Sequence, residues 1–397
     1  EASKRNCISC MTIQEMLERE DIYSIIETTL VKYYREVHHT SAKVKIQSKF
    51  NNKYVVYPRL GVIISRTPSL SVIKDTYCDF DVQNNPVRKL IAWGYITACL
   101  CTFGLLASKS LFVSDKKLLH NGVRIMPCNR KIRLFDYRQG VVDAMLKDGF
   151  NDLYFKTELS FRKNPIHPFI PKIVKSGNRW YRELILDGKG LVRIPEPKYS
   201  EKLQQTLSDL MMLQASTRKE ADALAYCQDM QKYIIESLPV LKVTKHIQTT
   251  DYIKDVTNKC YRYVEQHNQT IPMALSHGDL QTGNIFVESA GNVILIDWET
   301  ATLRSVWYDM GRLILYSQRK GKYAAMVNGR NSVTVKDALL VSDGDKERDM
   351  NLVCAILIIE EIKAFVDEII DLPGSIGTEI MDRLIDEFYQ IPELNGK

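Results

Sequence analysis

The sequence has no long block of lysine and arginine, no internal repeat and no low-complexity tract. Its 54 basic and 48 acidic residues leave a net charge of only +6, which is spread along the chain. Such a chain lacks the concentrated positive surface typical of nucleic-acid binding, so no nucleic acid is expected as a partner. The contents of 45% hydrophobic and 26% charged residues are ordinary for a globular protein, and 397 residues suffice for two or three domains.

A disulfide framework is also not indicated. The nine cysteines are odd in number and scattered over a long chain, which fits reduced thiols in a cytosolic protein. Cys7 and Cys10 form a CxxC without a second pair or a histidine at ligand spacing, so neither a zinc site nor a redox site is favoured. No basic-then-apolar leader of the signal-peptide type is visible, and a cytoplasmic location is expected.

One apolar segment, residues 90–107 (LIAWGYITACLCTFGLLA), carries no charge and is nearly long enough to span a bilayer. Its glycine, threonine, tyrosine and cysteine residues dilute its hydrophobicity. A buried helix is the preferred interpretation, and membrane contact through this segment is the alternative.

Three regions are expected from the change of sequence pattern along the chain. Residues 1–118 combine a helical period with a β-rich stretch and predict an N-terminal accessory α+β domain. Residues 119–187 predict a small, mostly antiparallel sheet with one helix inserted after its third strand. Residues 188–397 predict a largely helical region that is interrupted by one hairpin.

The elements expected in the second and third regions follow from apolar periodicity and turn residues. The strands are expected at Val123–Met126, Lys131–Tyr137, Val141–Lys147, Lys172–Val174 and Trp180–Leu186, with the inserted helix at Asp152–Arg162. The later helices are expected at Tyr199–Ala215, Lys219–Leu238, Thr249–His267 and Met350–Ile370, with a closing helix near Ile376–Tyr389 and an ambiguous stretch at Gly321–Arg348.

The segment with the most chemical information covers residues 276–299. It consists of SHGDLQTGN, a predicted hairpin at Ile285–Ile296, and the letters DWE. Phosphoryl transfer needs a carboxylate that orients the acceptor hydroxyl and accepts its proton, and oxygen ligands that hold Mg²⁺ on the phosphates. Because an antiparallel hairpin returns its end beside its beginning, Asn284 and Asp297 are expected to lie close together, with Asp279 facing the same place.

HGDLQTGN followed by LIDWE resembles the catalytic loop and metal-binding motif of the aminoglycoside phosphotransferase and choline kinase-like family. The resemblance implies a bilobal, protein kinase-like α+β fold, with a small antiparallel β lobe and a large helical lobe. It further implies Asp279 as catalytic base, His277 as an orienting residue, and Asn284 and Asp297 as Mg²⁺ ligands, with ATP or GTP as cofactor. Asp309 falls where this family often has an aspartate that braces the loop.

The small sheet offers a phosphate-positioning pair. A kinase fold requires a lysine at the end of its third strand, paired with a glutamate on the following helix. Lys147 ends the third predicted strand, and Glu158 lies in the middle of the next helix. Each is also compatible with a plain surface role, but their occurrence in this order favours a functional pair.

The nucleotide contacts are less well marked, because no GxGxxG lies between the first two strands. Asn129 and adjacent backbone N–H groups could bind phosphates as a small anion nest, or the connection could be a simple structural turn. Backbone groups around Leu184 and Leu186, where the resemblance expects the interlobe hinge, would bind the adenine edge. An ordinary edge strand and turn is the alternative there.

The acceptor is not identified by the sequence. Glu299, Glu360 and Glu361 could make its pocket acidic and suited to an amine, although surface carboxylates are common at such positions. The expected function is Mg-ATP-dependent transfer of the γ-phosphate to a hydroxyl of a small molecule or carbohydrate: a sugar, glycan, aminoglycoside or amino alcohol. A catalytically silent nucleotide-binding module is the alternative, and protein kinase activity is disfavoured because no recognisable activation loop lies between Asp297 and Asp309.

Overall fold

The computed structural model describes residues 12–48, 52–79, 86–115, 117–243, 247–317 and 349–371, together with Phe388 and Leu394. The chain forms an α+β fold that divides into two compact units. The first unit contains residues 1–199 and 286–299, and the second contains residues 200–285 and 300–397. The ambiguous stretch at Gly321–Arg348 and the CxxC at Cys7–Cys10 lie outside the described residues, as does almost all of the closing helix near Ile376–Tyr389.

An antiparallel nine-stranded sheet organises the first unit. Its strands are β1 (Val44–Gln47), β2 (Tyr54–Tyr57), β3 (Val62–Ser65), β4 (Lys109–Val113), β5 (Val123–Pro127), β6 (Lys131–Asp136), β7 (Val141–Leu146), β8 (Lys175–Ser176) and β9 (Trp180–Leu184). Their order across the sheet is β1-β4-β2-β3-β5-β6-β7-β9-β8. Strands β2 and β3 are rich in valine and isoleucine and buried at every position, as expected for strands covered on both faces.

The region expected as an accessory domain and the region expected as the small lobe share this sheet. Strand β3 pairs with β5 through Ile63 opposite Ile125 and Ile64 opposite Arg124. A hydrogen-bonded ladder therefore crosses the proposed boundary near residue 118, and both regions fall in one compact unit. A separate N-terminal domain is not established.

Helices cover both faces of the sheet. They are α1 (Ile13–Leu17), α2 (Ile22–His38), α3 (Leu70–Asp79), α4 (Pro86–Cys101) and α5 (Leu153–Lys163). Because side chains alternate along a strand, Val56 packs in the core with α1 and α2, whereas Val55 packs in the core with α3 and α4. Helix α5 covers β7 and β9 through a smaller cluster that includes Phe155 and Leu159.

The segment 90–107 departs from the buried helix that was expected. Helix α4 ends at Cys101, and only its inner side, with Ile96 and Cys99, is fully buried. On the other side, Leu90 and Ile91 are 71% and 66% exposed. The sheet offers one surface to a helix that is apolar nearly all round, so one side stays uncovered. Among the described helices, none has the length and apolar character needed to cross a membrane.

A second, three-stranded sheet contains the predicted hairpin. Its strands are β10 (Gly188–Gly190), β13 (Ile285–Glu288) and β14 (Val293–Leu295), in the order β10-β13-β14. Strands β13 and β14 lie within the hairpin expected at Ile285–Ile296. Gly188 is required for the close pairing of β10 and β13, since a Cβ there would lie 2.1 Å from the backbone oxygen of Val287.

The second unit is mainly helical, as expected. Its helices are α6 (Lys198–Thr217), α7 (Ala223–Val243), α8 (Ile247–Gln266), α9 (Trp307–Ser317) and α10 (Met350–Asp371), and its strands are β11 (Lys219–Asp222), β12 (Thr270–Ser276) and β15 (Thr302–Ser305). The helix predicted from Lys219 begins only at Ala223, because the four preceding residues pair with β12. Helix α10 packs against α7 and α8, and most of its side chains are buried.

Candidate active site

The loop between β12 and β13 is fixed by a buried aspartate. Asp309, in the first turn of α9, accepts hydrogen bonds from the backbone N–H groups of His277 (2.5 Å) and Gly278 (3.0 Å). Asp309 is 1% exposed, so its hydrogen bonds to these N–H groups are shielded from water. This is the bracing contact that the resemblance implies for Asp309.

Gly278 is the residue that lets this loop turn. Its φ of +85° lies in the left-handed region, and a Cβ there would lie 2.4 Å from the backbone oxygen of Thr300. The Thr300 hydroxyl in turn donates to the His277 carbonyl at 3.2 Å. Backbone conformation and close packing both require glycine here.

Asp279 follows directly and is held by several neighbours, among them Gln281, whose Nε2 donates to its Oδ2 at 3.3 Å. Arg312 Nη2 donates to its Oδ1 at 3.0 Å, and Asn284 Nδ2 donates to its Oδ2 at 3.1 Å. Asn284 Nδ2 also lies 2.7 Å from the Asp279 carbonyl oxygen, while the Asp279 N–H donates to His277 Nδ1 at 3.3 Å. The Asp279 side chain is nevertheless 32% exposed, so an oriented carboxylate remains accessible to solvent.

Arg312 is a site residue that the sequence reasoning missed. Its Nη1 donates to Glu361 at 3.2 Å and to the Tyr308 hydroxyl at 2.9 Å, so the guanidinium links α10 to the loop that carries Asp279. The available signal is its spacing of three residues from Asp309 on α9, which puts both side chains on one side of that helix.

In the first unit, three carboxylates surround one buried ammonium. Lys131 Nζ lies 2.7 Å from Glu158 Oε2, 2.9 Å from Asp297 Oδ1 and 2.9 Å from Glu299 Oε2. The lysine side chain is only 4% exposed. Burial disfavours its charge, but the three carboxylates, Asp297 foremost, raise the pKa of Lys131 well above its usual value.

Glu158 is compensated from two sides. Besides Lys131, Arg162 Nη1 donates to its Oε1 at 2.7 Å, and the glutamate side chain is fully buried. Burial alone would favour the neutral acid, yet the charges of Lys131 and Arg162 lower the pKa of Glu158. The middle of α5 therefore presents a carboxylate that is ionised at neutral pH.

The predicted pair of Lys147 with Glu158 is not formed. Lys131 pairs with Glu158 instead. Lys147 Nζ instead contacts Glu20 at 2.6 Å. The reason is strand alternation: Leu146 on β7 packs towards α5, so the next residue points to the opposite face. Lys131 lies directly opposite Leu146 in the β6–β7 register and shares its face.

Asp297 has an unusual backbone. Its φ of +70° is left-handed, a conformation that non-glycine residues adopt mainly at special sites. Its carboxylate lies near both Lys131 and, at 3.8 Å, Arg133 Nη2. Since Asn284 belongs to the other compact unit, the expected convergence of Asn284 and Asp297 stays a prediction.

The donor atoms near Asp297 suit a hard divalent cation. One oxygen each from Glu158, Asp297 and Glu299 lies within 4.8 Å of the others. Oxygen-only ligands of this kind fit Mg²⁺ in chemistry. In this conformation the Lys131 ammonium balances their charge together with Arg162, which pairs with Glu158, and Arg130, which pairs with Glu299.

The predicted nucleotide contacts stay predictions. Asn129 is exposed. It lies in a turn that is closed by a hydrogen bond of 2.7 Å from the Cys128 N–H to the Lys131 carbonyl oxygen. Leu184 is the last residue of β9, pairs with Val141 and is 61% exposed. Leu186 lies just beyond that strand and is half-buried.

The three glutamates considered for an acidic pocket all have partners within the fold. Glu299 binds Arg130 at 2.8 Å as well as Lys131. Glu361 binds Arg312. Glu360 is 2% exposed and accepts hydrogen bonds from three groups. These donors are the Ser305 N–H (2.9 Å), the Ser305 hydroxyl (2.7 Å) and the Tyr226 hydroxyl (2.7 Å). Each of these three glutamates therefore already has an ion-pair or hydrogen-bond partner within the fold.

Residues 189–318 match the model of the choline/ethanolamine kinase family. This segment includes Asp279, Asn284, Asp297 and Asp309, so the resemblance is confirmed over the part of the chain that contains the motif. That part of the chain is similar to small-molecule kinases.

Among curated protein sequences, none matches this chain. A solved choline/ethanolamine kinase family protein from Mesorhizobium loti is 12% identical, with 71% of this chain and 93% of that chain covered and a TM-score of 0.47. An ethanolamine kinase from Plasmodium vivax is 11% identical, with coverages of 83% and 96% and a TM-score of 0.47. An ADP-bound aminoglycoside phosphotransferase is 14% identical, with coverages of 70% and 96% and a TM-score of 0.44.

Proposed function

We propose that this protein is a Mg-ATP-dependent phosphotransferase that transfers the γ-phosphate to a hydroxyl of a small molecule or carbohydrate. The observation that carries the proposal is the buried Lys131 ammonium, within 2.9 Å of both Glu158 and Asp297. Phosphoryl-transfer folds use a lysine paired with a helix glutamate, together with a metal-binding aspartate, to position the donor. The match of residues 189–318 to a small-molecule kinase family supports the same function.

Asp279 has the role of base. It accepts the proton of the acceptor hydroxyl while the hydroxyl oxygen attacks the γ-phosphorus; the bond from that phosphorus to the bridging β–γ oxygen breaks, and ADP leaves. The hydrogen bonds from Arg312 and Asn284 to its two carboxylate oxygens support this role, since they fix the direction of the side chain. His277 contributes by orienting the loop, not by transferring a proton.

Asp297 and Asn284 are proposed to hold Mg²⁺, and Lys131 is proposed to contact the α- and β-phosphates. Bound magnesium would neutralise charge on the phosphate oxygens. Glu158, Asp297 and Glu299 share the Lys131 ammonium. An arriving phosphate chain would take over part of that positive charge.

The test uses Asp279→Asn, which keeps the size of the side chain and removes its basicity. Purified protein is incubated with Mg-ATP and a metabolite extract, and compounds that gain a phosphate are identified by mass spectrometry. We expect the wild-type protein to phosphorylate at least one hydroxyl compound, and Asp279→Asn to bind ATP without transferring phosphate.

The matched control is Asp255→Asn, a charge-equivalent change on α8 at a side chain that is 42% exposed and contacts Lys259. It should retain full transfer activity. Full activity of Asp279→Asn would refute the assigned base. Tight ATP binding by the wild-type protein without transfer to any acceptor would instead favour a catalytically silent nucleotide-binding module.

A further inference from the structure

The outward side of α4 and the turn after it form an uncovered apolar surface, which we call the α4 face. On α4, positions 90, 91, 94, 97 and 101 recur at three- and four-residue steps and carry no charge. Its large exposed members are Leu90 (71%), Ile91 (66%), Phe103 (62%), Leu105 (77%) and Leu106 (50%), with Trp93 at 40%.

The size of the α4 face sets it apart from an ordinary protein surface. If each of these six side chains exposes on the order of 100 Å², the patch of about 600 Å² reaches the upper end of the range of about 300–600 Å² for the largest apolar patch on a typical monomer. A helix that is apolar all round is normally covered on all sides. The sheet covers the side of Ile96 and Cys99, and Tyr77 of α3 contacts Trp93 and Thr97. Within the described residues, Leu90 and Ile91 stay exposed on the remaining side.

The positive charge of the residues on and around α4 favours an anionic binding partner. From Pro86 to Ser114 the sequence has no acidic residue, and its three charged residues are Arg88, Lys89 and Lys109. Lys89 lies at one end of the α4 face, with its Nζ 4.9 Å from the Trp93 ring centroid. An apolar centre with a basic edge and an interfacial tryptophan is the pattern of a helix that lies in an anionic bilayer surface.

We propose that the α4 face docks this protein onto an anionic lipid surface, with α4 lying in the plane of the interface. A second copy of the chain is a poorer occupant, because a symmetric contact would bring two basic edges together without an acid to balance them. The proposal is independent of the phosphotransferase activity, since it concerns binding and not chemistry.

The test is flotation of the full chain with vesicles of phosphatidylcholine alone or of phosphatidylcholine with 30% phosphatidylglycerol, a fraction of about one third chosen to give a clear surface charge. We expect binding to the anionic vesicles that weakens with added salt. Leu90→Glu and Leu105→Glu should each reduce this binding about tenfold or more, because each places a charge in the buried side of the contact. The matched control, Met212→Glu, changes a side chain on α6 that is 53% exposed and should bind like the wild type.

Tryptophan fluorescence gives a second measurement on the unaltered protein. Trp180, Trp298 and Trp307 are at most 4% exposed, so Trp93 is the tryptophan whose emission should shift to shorter wavelength when vesicles bind. Trp93→Phe should remove that shift. The proposal is overturned if the wild-type protein does not float with anionic vesicles, or if all three glutamate variants bind equally. It is also overturned if Leu90→Glu instead converts a dimer to a monomer without any lipid effect.

Discussion

Replacing Lys131 by methionine tests the central contact of the first unit. The change keeps a long, unbranched side chain and removes an ammonium that is 4% exposed and lies within 2.9 Å of three carboxylates. Removing one partner of a buried ion pair typically costs about 3–5 kcal/mol of unfolding free energy. Arg162 and Arg130 still compensate Glu158 and Glu299, so we expect the lower end of that range.

We expect Lys131→Met to lower the turnover of the folded protein, in addition to any loss of activity caused by unfolding. Loss of one preorganised donor at a reacting phosphate lowers turnover by about 10²–10³-fold. The matched variant is Lys147→Met, which also removes a buried ammonium, here paired with Glu20 at 2.6 Å. Burial lowers the pKa of Lys147, against the opposing effect of Glu20, so its charge is less favoured than that of Lys131.

The assay is ADP formation from Mg-ATP with an acceptor found in the phosphorylation screen, at a temperature where circular dichroism shows each variant folded. We expect Lys131→Met to lose turnover about 10²-fold or more and Lys147→Met to retain it. The reasoning is refuted if the two variants have equal turnover per folded molecule, or if Lys147→Met is the inactive one.

Three further changes test the second unit. Gly278→Ala should destabilise the protein by at least about 1–2 kcal/mol in urea unfolding, because its φ is left-handed and the new Cβ meets the Thr300 carbonyl; unchanged stability would contradict this. Burial raises the pKa of Glu360 from 4.5 to about 7, so the folded protein holds a proton that the unfolded chain releases between these values. Stability should therefore fall by up to about 3 kcal/mol as pH rises across that range, and Glu360→Gln should flatten the dependence. Arg312→Lys should lower kcat about tenfold or more without changing ATP affinity, because an ammonium cannot orient Asp279 as the guanidinium fork does; a change in ATP affinity alone would count against it.

The parts of the site that were predicted from sequence are those that local structure determines. A tight turn between two short apolar runs specifies the β13–β14 hairpin, and the loop that carries Asp279 precedes it directly. Asp309 was predicted from the resemblance, and its contacts with the loop N–H groups match the implied role. These features can be predicted without knowing which strands pair with each other over long sequence distances.

The identity of the lysine depends on non-local pairing, which the sequence does not reveal by itself. Both Lys131 and Lys147 lie at strand ends, and only the β6–β7 register places Lys131 opposite Leu146 and hence on the face of α5. Strand β11 was also missed because it depends on non-local pairing. Its sequence KEAD continues a helical pattern, but pairing with β12 overrides that tendency. The predicted Lys147–Glu158 pair was wrong because it rested on the position of the lysine along its strand and not on the face to which the side chain points.

The ladder between β3 and β5 has a practical consequence for dissecting this protein. Cutting the chain near residue 119 would strip β5 of its neighbour and leave a valine- and isoleucine-containing edge open to solvent. Unprotected edges of this kind recruit strands from other molecules. A fragment that begins at residue 119 should therefore precipitate or form oligomers, whereas a fragment that begins before α1 keeps every strand of the sheet in its order, together with the helices α1 and α2 that cover one of its faces.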